Sequence, residues 1–117
     1  MQSESNKSLV RRYIEMWNTG NAQWASEILA VTWQDHAHPE VASVEQVQET
    51  LSQTRTAFPD FHIAIETILG EGDLVALRAL IQAGKPSRVM WFVRVSGGKM
   101  QEMWTGMESE RIGQQDK

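Results

Sequence analysis

The spacing of hydrophobic residues changes once along this chain of 117 residues, and the change limits the folds that it can adopt. Up to Phe58, apolar side chains recur every third or fourth residue, which is typical of one buried helix face. From Phe61 onward they mostly alternate with polar side chains, which is typical of strands. The sequence therefore predicts helices followed by a mainly antiparallel sheet, packed as a two-layer α+β domain.

The helical part divides into three segments. The first is expected to end at Gly20, because glycine readily takes the left-handed conformation of a C-terminal cap. Asn21 is expected to cap a short second helix. Ser43 and Gln46 have the spacing of a capping box and predict the start of a third helix. Between the second and third helices, residues 31–36 favour a strand.

The second half predicts four further strands joined by turns. Gly97 and Gly98 are typical of a tight hairpin, and another turn is expected at residues 84–87. Helices covering one face of a strongly curved, cone-shaped sheet would leave a cavity at its wide end. The strands are expected at residues 61–69, 74–82, 88–95 and 99–108.

Composition excludes several classes of function. The formal net charge is -4 and the basic residues are scattered, whereas nucleic-acid binders need a concentrated basic face. No apolar run approaches the ~20 residues of a membrane span. The chain has no cysteine, and its first residues are polar, which predicts a cytoplasmic protein without disulfides. Without repeats or linkers, residues 1–117 are expected to form one domain, with 1–5 and 111–117 frayed.

Several fragments resemble one known family when they are taken together. They occur at Asn6–Tyr13, Trp17–Asn21, Asp35-His36 before a proline, Ala57–Asp60, Glu71–Ala76 and Gly98–Trp104. In this order and approximate spacing, the set resembles the SnoaL-like polyketide cyclases of the nuclear-transport-factor-2-like superfamily. The resemblance implies a cone-shaped α+β barrel with three N-terminal helices, a pocket for a small molecule and a homodimer.

The chain departs from this family at two places. The last strand of the cyclases commonly reads Glu-His-Trp-Asp, and its aspartate is their general acid/base. Here Met103 replaces the histidine and Thr105 replaces the aspartate, and neither side chain transfers a proton near neutral pH. Residues 82–88 also form only a short turn where family members usually have a longer excursion, so one pocket wall is expected to be more open.

The start of the chain is also similar to that of ketosteroid isomerases. In those enzymes the tyrosine that matches Tyr13 donates a hydrogen bond to the enolate oxygen, and Asp35 roughly matches the catalytic base. Residues 90–93 contain no counterpart of the second oxyanion-hole aspartate. The resemblance implies Asp35, or its neighbour His36, as the base and Tyr13 as the donor.

Each of these residues also has a plain structural interpretation. Asp35 and His36 would be turn residues, and Tyr13 would be a core aromatic whose hydroxyl meets a backbone carbonyl. Arg78 interrupts an apolar strand, and could either orient a substrate carboxylate or form an ion pair with Asp35, Glu66 or Glu108.

No metal or other cofactor is predicted. A His36–His38 metal site would need a third ligand. The chain also has no glycine-rich phosphate loop.

The strand pattern predicts which side chains line the pocket. Met90 and Phe92 are expected to share the pocket face with Met103, while Trp91 and Trp104 cover the opposite face and favour a homodimer. The residues expected to contact a ligand are Arg78, Trp17, Trp33, Met90, Phe92, Met103, Thr105 and Glu108.

Two functions remain open at this point. One is a cofactor-independent enzyme that moves a proton next to the carbonyl group of a small, largely apolar ligand. The other is a non-catalytic ligand-binding or dimeric interaction module that has lost the acid/base of the family.

Overall fold

The structure is a computed structural model and describes residues 2–107. It confirms the predicted α+β class: three helices pack with a five-stranded mixed sheet, whose first strand lies between the second and third helices in the chain. None of the described helices is both long and apolar enough to span a membrane. The elements are α1 (Gln2–Thr19), a 3-10 turn (Ala22–Trp24), α2 (Ala25–Ile28), β1 (Leu29–Asp35), α3 (Val44–Ala57), β2 (His62–Glu71), β3 (Leu74–Ala83), β4 (Lys85–Ser96) and β5 (Lys99–Met107).

The strand order is β1-β5-β4-β3-β2, with β1 parallel to β5 and the other pairs antiparallel. Within the described residues β1 and β2 form the two edges, so the sheet is open rather than a closed barrel. The strong curvature expected from the sequence stays a prediction. The core lies between the helices and one face of the sheet, and its most buried members include Val10, Met16, Ile28, Leu51, Val75, Val93 and Met100.

The helix boundaries follow the local sequence signals with two exceptions. Gly20 has a φ of 81° and its N–H donates to the Met16 carbonyl, which ends α1 as predicted. The Oγ of Ser43 accepts from the N–H of Gln46 at 3.2 Å, which confirms the predicted cap of α3.

Asn21 makes no capping hydrogen bond with its side chain, because the chain leaves α1 through a 3-10 turn. Residues 2–5, expected to be frayed, are helical, while 111–117 lie outside the described residues.

A β-bulge in β2 changes which side chains face the core. Ile65 pairs with Ala79 and Thr67 pairs with Arg78, so Glu66 is the extra residue. Beyond the bulge the alternation shifts by one position, and Leu69 is 64% exposed. The single uninterrupted alternation expected for residues 61–69 is therefore wrong.

The turn between β3 and β4 is shorter than expected. Ala83 pairs with Lys85, so Gly84 alone forms the turn, with a φ of 78° that favours glycine. The predicted turn at residues 84–87 is thus wrong, and Pro86 lies within β4 opposite Gln82. Proline is tolerated there because the described part of β5 ends opposite Val89, which leaves this end of β4 with one partner strand in the described structure.

The side chain of Asn18 connects the end of α1 to the edge strand β2 through two hydrogen bonds. Its side-chain amide donates to the Ile63 carbonyl at 2.9 Å, and its Oδ1 accepts from the Ile63 N–H at 2.7 Å. This pair of hydrogen bonds satisfies both backbone groups of Ile63 and fixes the helix relative to the sheet.

Replacing Asn18 by alanine is expected to lower the free energy of unfolding by about 2 kcal/mol, since two partly buried backbone groups lose their partner. Urea denaturation followed by circular dichroism measures the change. The matched control is Thr19→Ala, which removes one exposed hydrogen bond to the Glu15 carbonyl and is expected to cost less than about 1 kcal/mol. Equal costs for both variants would contradict the proposed role of Asn18.

Candidate ligand-binding cavity

A cavity of about 550 Å³ lies between α1, α3 and the inner face of the sheet. Its volume is in the usual range for sites that bind small organic molecules. Most of its wall is apolar and aromatic, with a few polar groups among them. The lining residues are Tyr13, Trp17, Trp33, Asp35, His38, Glu40, Val41, Val47, Thr50, Gln53, Thr54, Phe61, Ile63, Ile81, Val89, Trp91, Met103, Thr105 and Met107.

Tyr13 lies on the inward face of α1 and is 5% exposed. Its ring packs against Trp17 and Trp33, with centroid distances of 6.4 and 6.0 Å. Burial raises the pKa of the Tyr13 hydroxyl well above its usual value; the nearby Asp35 carboxylate raises it further, and a polar contact with Trp17 partly opposes the shift. The hydroxyl therefore stays protonated at neutral pH and is able to donate a hydrogen bond.

Asp35 is the last residue of β1, and it contributes both to the turn that follows and to the cavity lining. Its Oδ1 accepts from the N–H of Ala37 at 3.0 Å, and its carbonyl oxygen accepts from the N–H of His38 at 3.0 Å, which builds the turn after β1. The half-buried side chain also lines the cavity. Asp35 is thus both a turn residue and a carboxylate at the candidate site.

His36 does not line the cavity. Its ring lies on the outer face of the sheet, where Nε2 is 2.8 Å from Oε1 of Glu102 and the ring stacks on Trp104 at a centroid distance of 4.9 Å. Glu102 also accepts from Nε of Arg94 at 2.7 Å. The pKa of Glu102 is held below its usual value, mainly by the hydrogen bond with His36 and secondly by the hydrogen bond with Arg94. The structure thus separates His36 from the other predicted catalytic residues.

The mouth of the cavity carries His38 and Glu40. Both side chains are exposed, and Nδ1 of His38 lies 3.7 Å from Oε2 of Glu40. Among residues 2–107, no group of three or more His, Asp or Glu side chains has the arrangement of a metal site.

The register of β4 and β5 corrects the predicted cavity face. Trp91 pairs with Thr105 and Phe92 pairs with Trp104, and directly paired residues share one face of a sheet. Trp91 and Thr105 line the cavity, whereas Phe92 is 52% exposed on the outer face. Met90 lies on the outer face with Phe92 and is 54% exposed. The expectation that Met90 and Phe92 share a face with Met103 is therefore wrong.

Arg78 also lies on the outer face, opposite Met90 in the β3–β4 pair. Its Nε is 3.3 Å from Oε1 of Glu66, which Arg88 also binds, so the expected ion pair with Glu66 is present. Arg78 is not positioned to orient a ligand in the cavity. Of the other residues expected to contact a ligand, Trp17, Trp33, Met103 and Thr105 line the cavity, and Glu108 lies outside the described residues.

The sequence reasoning missed the polar groups that α3 contributes. Thr50 and Thr54 line the cavity one helical turn apart. They follow the buried residues Val47 and Leu51 by three positions, so the helical period places them on the same face. Hydroxyl groups within the apolar stripe of α3 were the signal that could have identified them.

Trp33 forms a deeply buried part of the wall. It is 2% exposed, and its Nε1 has no hydrogen-bond partner among the described residues. A buried donor without a partner is unfavourable, so the packing of the Trp33 ring must outweigh this cost.

The sequence matches the SnoaL-like polyketide cyclase family over residues 7–115. No curated protein gives a significant match. At 12–21% identity, the structural likenesses that follow demonstrate a shared fold.

Three solved structures are similar to this one. A SnoaL-like polyketide cyclase from Agrobacterium tumefaciens has a TM-score of 0.77 at 12% identity, with 96% of this chain and 98% of that chain covered. A candidate polyketide cyclase from Bacillus cereus has a TM-score of 0.79 at 21% identity, with coverages of 95% and 79%. A candidate ketosteroid isomerase from Kribbella flavida has a TM-score of 0.77 at 15% identity, with coverages of 93% and 82%.

Proposed function

This chain belongs to the SnoaL-like polyketide cyclase family, and on that premise we propose that it binds a small, largely apolar carbonyl compound and moves a proton on the carbon next to the carbonyl group. The observation that carries the proposal is that Tyr13 and Asp35 line the same mostly apolar cavity. A hydrogen-bond donor and a carboxylate in one cavity are the two groups that enolisation requires.

Each residue has one role in the proposed reaction. The Asp35 carboxylate takes a proton from the carbon next to the carbonyl group, and the electrons of that C–H bond move to the carbonyl oxygen. The protonated hydroxyl of Tyr13 donates a hydrogen bond to the oxygen as negative charge develops on it. Asp35 then returns the proton to the same carbon or to another carbon of the conjugated system.

Asp35 lies close to the position on β5 where this chain lacks the acid/base of the family. In the parallel pair of β1 and β5, Asp35 lies opposite Met103, and Thr105 lies two residues further along β5. Thr105 is the residue that stands where the cyclases of this family have their acidic group. A carboxylate on the adjacent strand therefore reaches the same region of the cavity from one strand away.

Exchange of deuterium into 2-tetralone tests this proposal, because this bicyclic ketone enolises readily and carries no charge. The ketone is incubated in D₂O with and without the protein, and loss of the signals of the protons next to the carbonyl is followed by NMR. We expect protein-dependent, saturable exchange. Saturable binding of 2-tetralone with exchange only at the background rate would instead favour the non-catalytic ligand-binding module.

We also propose that two copies of the chain associate through the outer face of the sheet. The exposed apolar side chains there form what we call the outer patch, and a cluster of exposed apolar side chains is typical of a surface that meets a partner. Ion pairs flank it on two sides: Arg78 with Glu66, and Arg94 with Glu102. The outer patch consists of Leu69, Leu74, Met90, Phe92 and Trp104, which are 39–64% exposed.

Replacing Phe92 by glutamate is expected to convert the dimer into a monomer, because it places a charge in the middle of the outer patch. Sedimentation equilibrium of both proteins over a range of concentrations measures the association. The matched control is Val31→Glu, which changes another exposed apolar strand residue, 93% exposed and outside the outer patch. A wild-type chain that sediments as a monomer throughout would contradict the proposal.

A further inference from the structure

The charged groups of the cavity have one sign. Its lining includes two carboxylates, those of Asp35 and Glu40, and the imidazole of His38 beside Glu40. One oxygen of Asp35 is engaged by the Ala37 N–H, while its Oδ2 has no hydrogen bond to another described residue. The lining therefore presents negative charge to a ligand.

The basic side chains of α3, β3 and β4 do not line the cavity. Nη1 of Arg55 donates to the carbonyl of Trp17 at 3.0 Å, on the side of α3 where a separate pocket lies. Arg78, Arg88 and Arg94 lie on the outer face of the sheet with Glu66 and Glu102. Among residues 2–107, the cavity lining itself contains no lysine or arginine.

The aromatic part of the wall supplies ring systems that are able to bind a cation. Trp17, Trp33, Phe61 and Trp91 line the cavity together with Tyr13. The face of an aromatic ring carries partial negative charge, and tryptophan is the ring that attracts cations most strongly. Wall and carboxylates thus favour a positive ligand and disfavour a negative one.

We propose that the cavity selects a cationic ligand: an aromatic or polycyclic carbonyl compound that carries a protonated or quaternary amine. Its ammonium group lies towards Glu40 at the mouth, and its carbonyl group lies towards Tyr13 and Asp35. Carboxylates of the same shape are rejected. This inference rests on the proposed function, since it names the class of ligand for the same cavity.

Three naphthalene probes that share one ring system and carry a positive, neutral or negative substituent test the inference. They carry a trimethylammoniomethyl, a hydroxymethyl or a carboxymethyl group at ring position 2, and their dissociation constants are measured by isothermal titration calorimetry. We expect the cation to bind about tenfold or more tightly than the anion, with the neutral alcohol between them.

Charge-neutralising variants test whether the preference for cations over anions arises from the carboxylates of the cavity. Glu40→Gln and Asp35→Asn are each expected to reduce the ratio of cation to anion affinity several-fold. The control is Glu49→Gln, which removes the same charge from an exposed position of α3 that does not line the cavity, and should leave the ratio unchanged.

The outcomes separate this inference from the proposed function. If the neutral alcohol binds and the anion binds as tightly as the cation, the charge preference is overturned while small-molecule binding stands. If Glu49→Gln lowers the ratio as much as Glu40→Gln does, the preference arises from the net charge of the protein, and the inference is also overturned. If none of the three probes binds, both the inference and the proposed binding function fail.

Discussion

Replacing Asp35 by asparagine is expected to slow protein-dependent deuterium exchange into 2-tetralone by about 10²- to 10⁴-fold, the contribution typical of a general base. Asparagine keeps the shape of the side chain, and its Oδ1 is still able to accept the hydrogen bond from the Ala37 N–H. The turn after β1 is therefore retained, and the loss isolates the proton-accepting carboxylate. Tyr13→Phe is expected to slow the same reaction by about 10²- to 10³-fold, since it removes the proposed oxyanion donor.

The matched control for this experiment is Asp60→Asn. Asp60 is also a turn aspartate, because its Oδ2 accepts from the Gly84 N–H at 3.2 Å, but it does not line the cavity. Its substitution should leave the exchange rate near that of the wild type. If Asp35→Asn exchanges 2-tetralone as fast as the wild type does, Asp35 is not the base.

Replacing Trp33 by alanine is expected to lower the free energy of unfolding by about 3–5 kcal/mol, because it removes the largest fully buried side chain. The indole is 2% exposed and forms part of the cavity wall, so its loss would enlarge an existing void instead of exposing a surface. Urea denaturation followed by circular dichroism measures the effect.

Trp33→Phe is the informative companion variant. It keeps an aromatic ring in the wall and removes the Nε1 donor that has no partner among the described residues. Because a buried, unsatisfied donor costs about 1–3 kcal/mol, its removal offsets part of the lost packing. The phenylalanine variant should therefore lose less than half as much stability as the alanine variant. Equal losses would mean that the unsatisfied N–H is not a significant cost.

Local signals in the sequence were sufficient for most of the architecture. The left-handed Gly20 and the Ser43–Gln46 cap lie where their short-range chemistry predicts them. Both depend on contacts within a few residues, which a single sequence specifies directly. The α+β class follows from the change of hydrophobic period at about residue 60, and the structure confirms it.

The faces of the strands could not be predicted in the same way. A shift of one residue exchanges the two faces of a strand. The bulge at Glu66 and the pairing of Trp91 with Thr105 depend on neighbouring strands, and both differ from the simple alternation. Both faces of β4 carry large apolar side chains, so hydrophobicity alone did not separate Trp91 from Phe92.

The same limit applies to the candidate site. Asp35 and Tyr13 both line the cavity, and the roles that the resemblance to ketosteroid isomerases implies for them stay a prediction. His36 directly follows the last residue of β1, and its ring lies on the outer face of the sheet against Glu102 and Trp104. Thr50 and Thr54 were missed because a threonine on a helix has no chemical signature unless the helix face is considered.

The order of strands in the sheet has a consequence for synthesis on the ribosome. β5 is made last, yet it lies between β4 and β1, and it supplies Met103 and Thr105 to the cavity wall. Until it emerges, β1 has no neighbouring strand among the described elements, and Trp33 has no completed wall to pack into. Contacts between such distant segments form slowly. The cavity is therefore completed only after translation of β5, and a nascent chain that stops before Lys99 would expose the apolar inner face to chaperones.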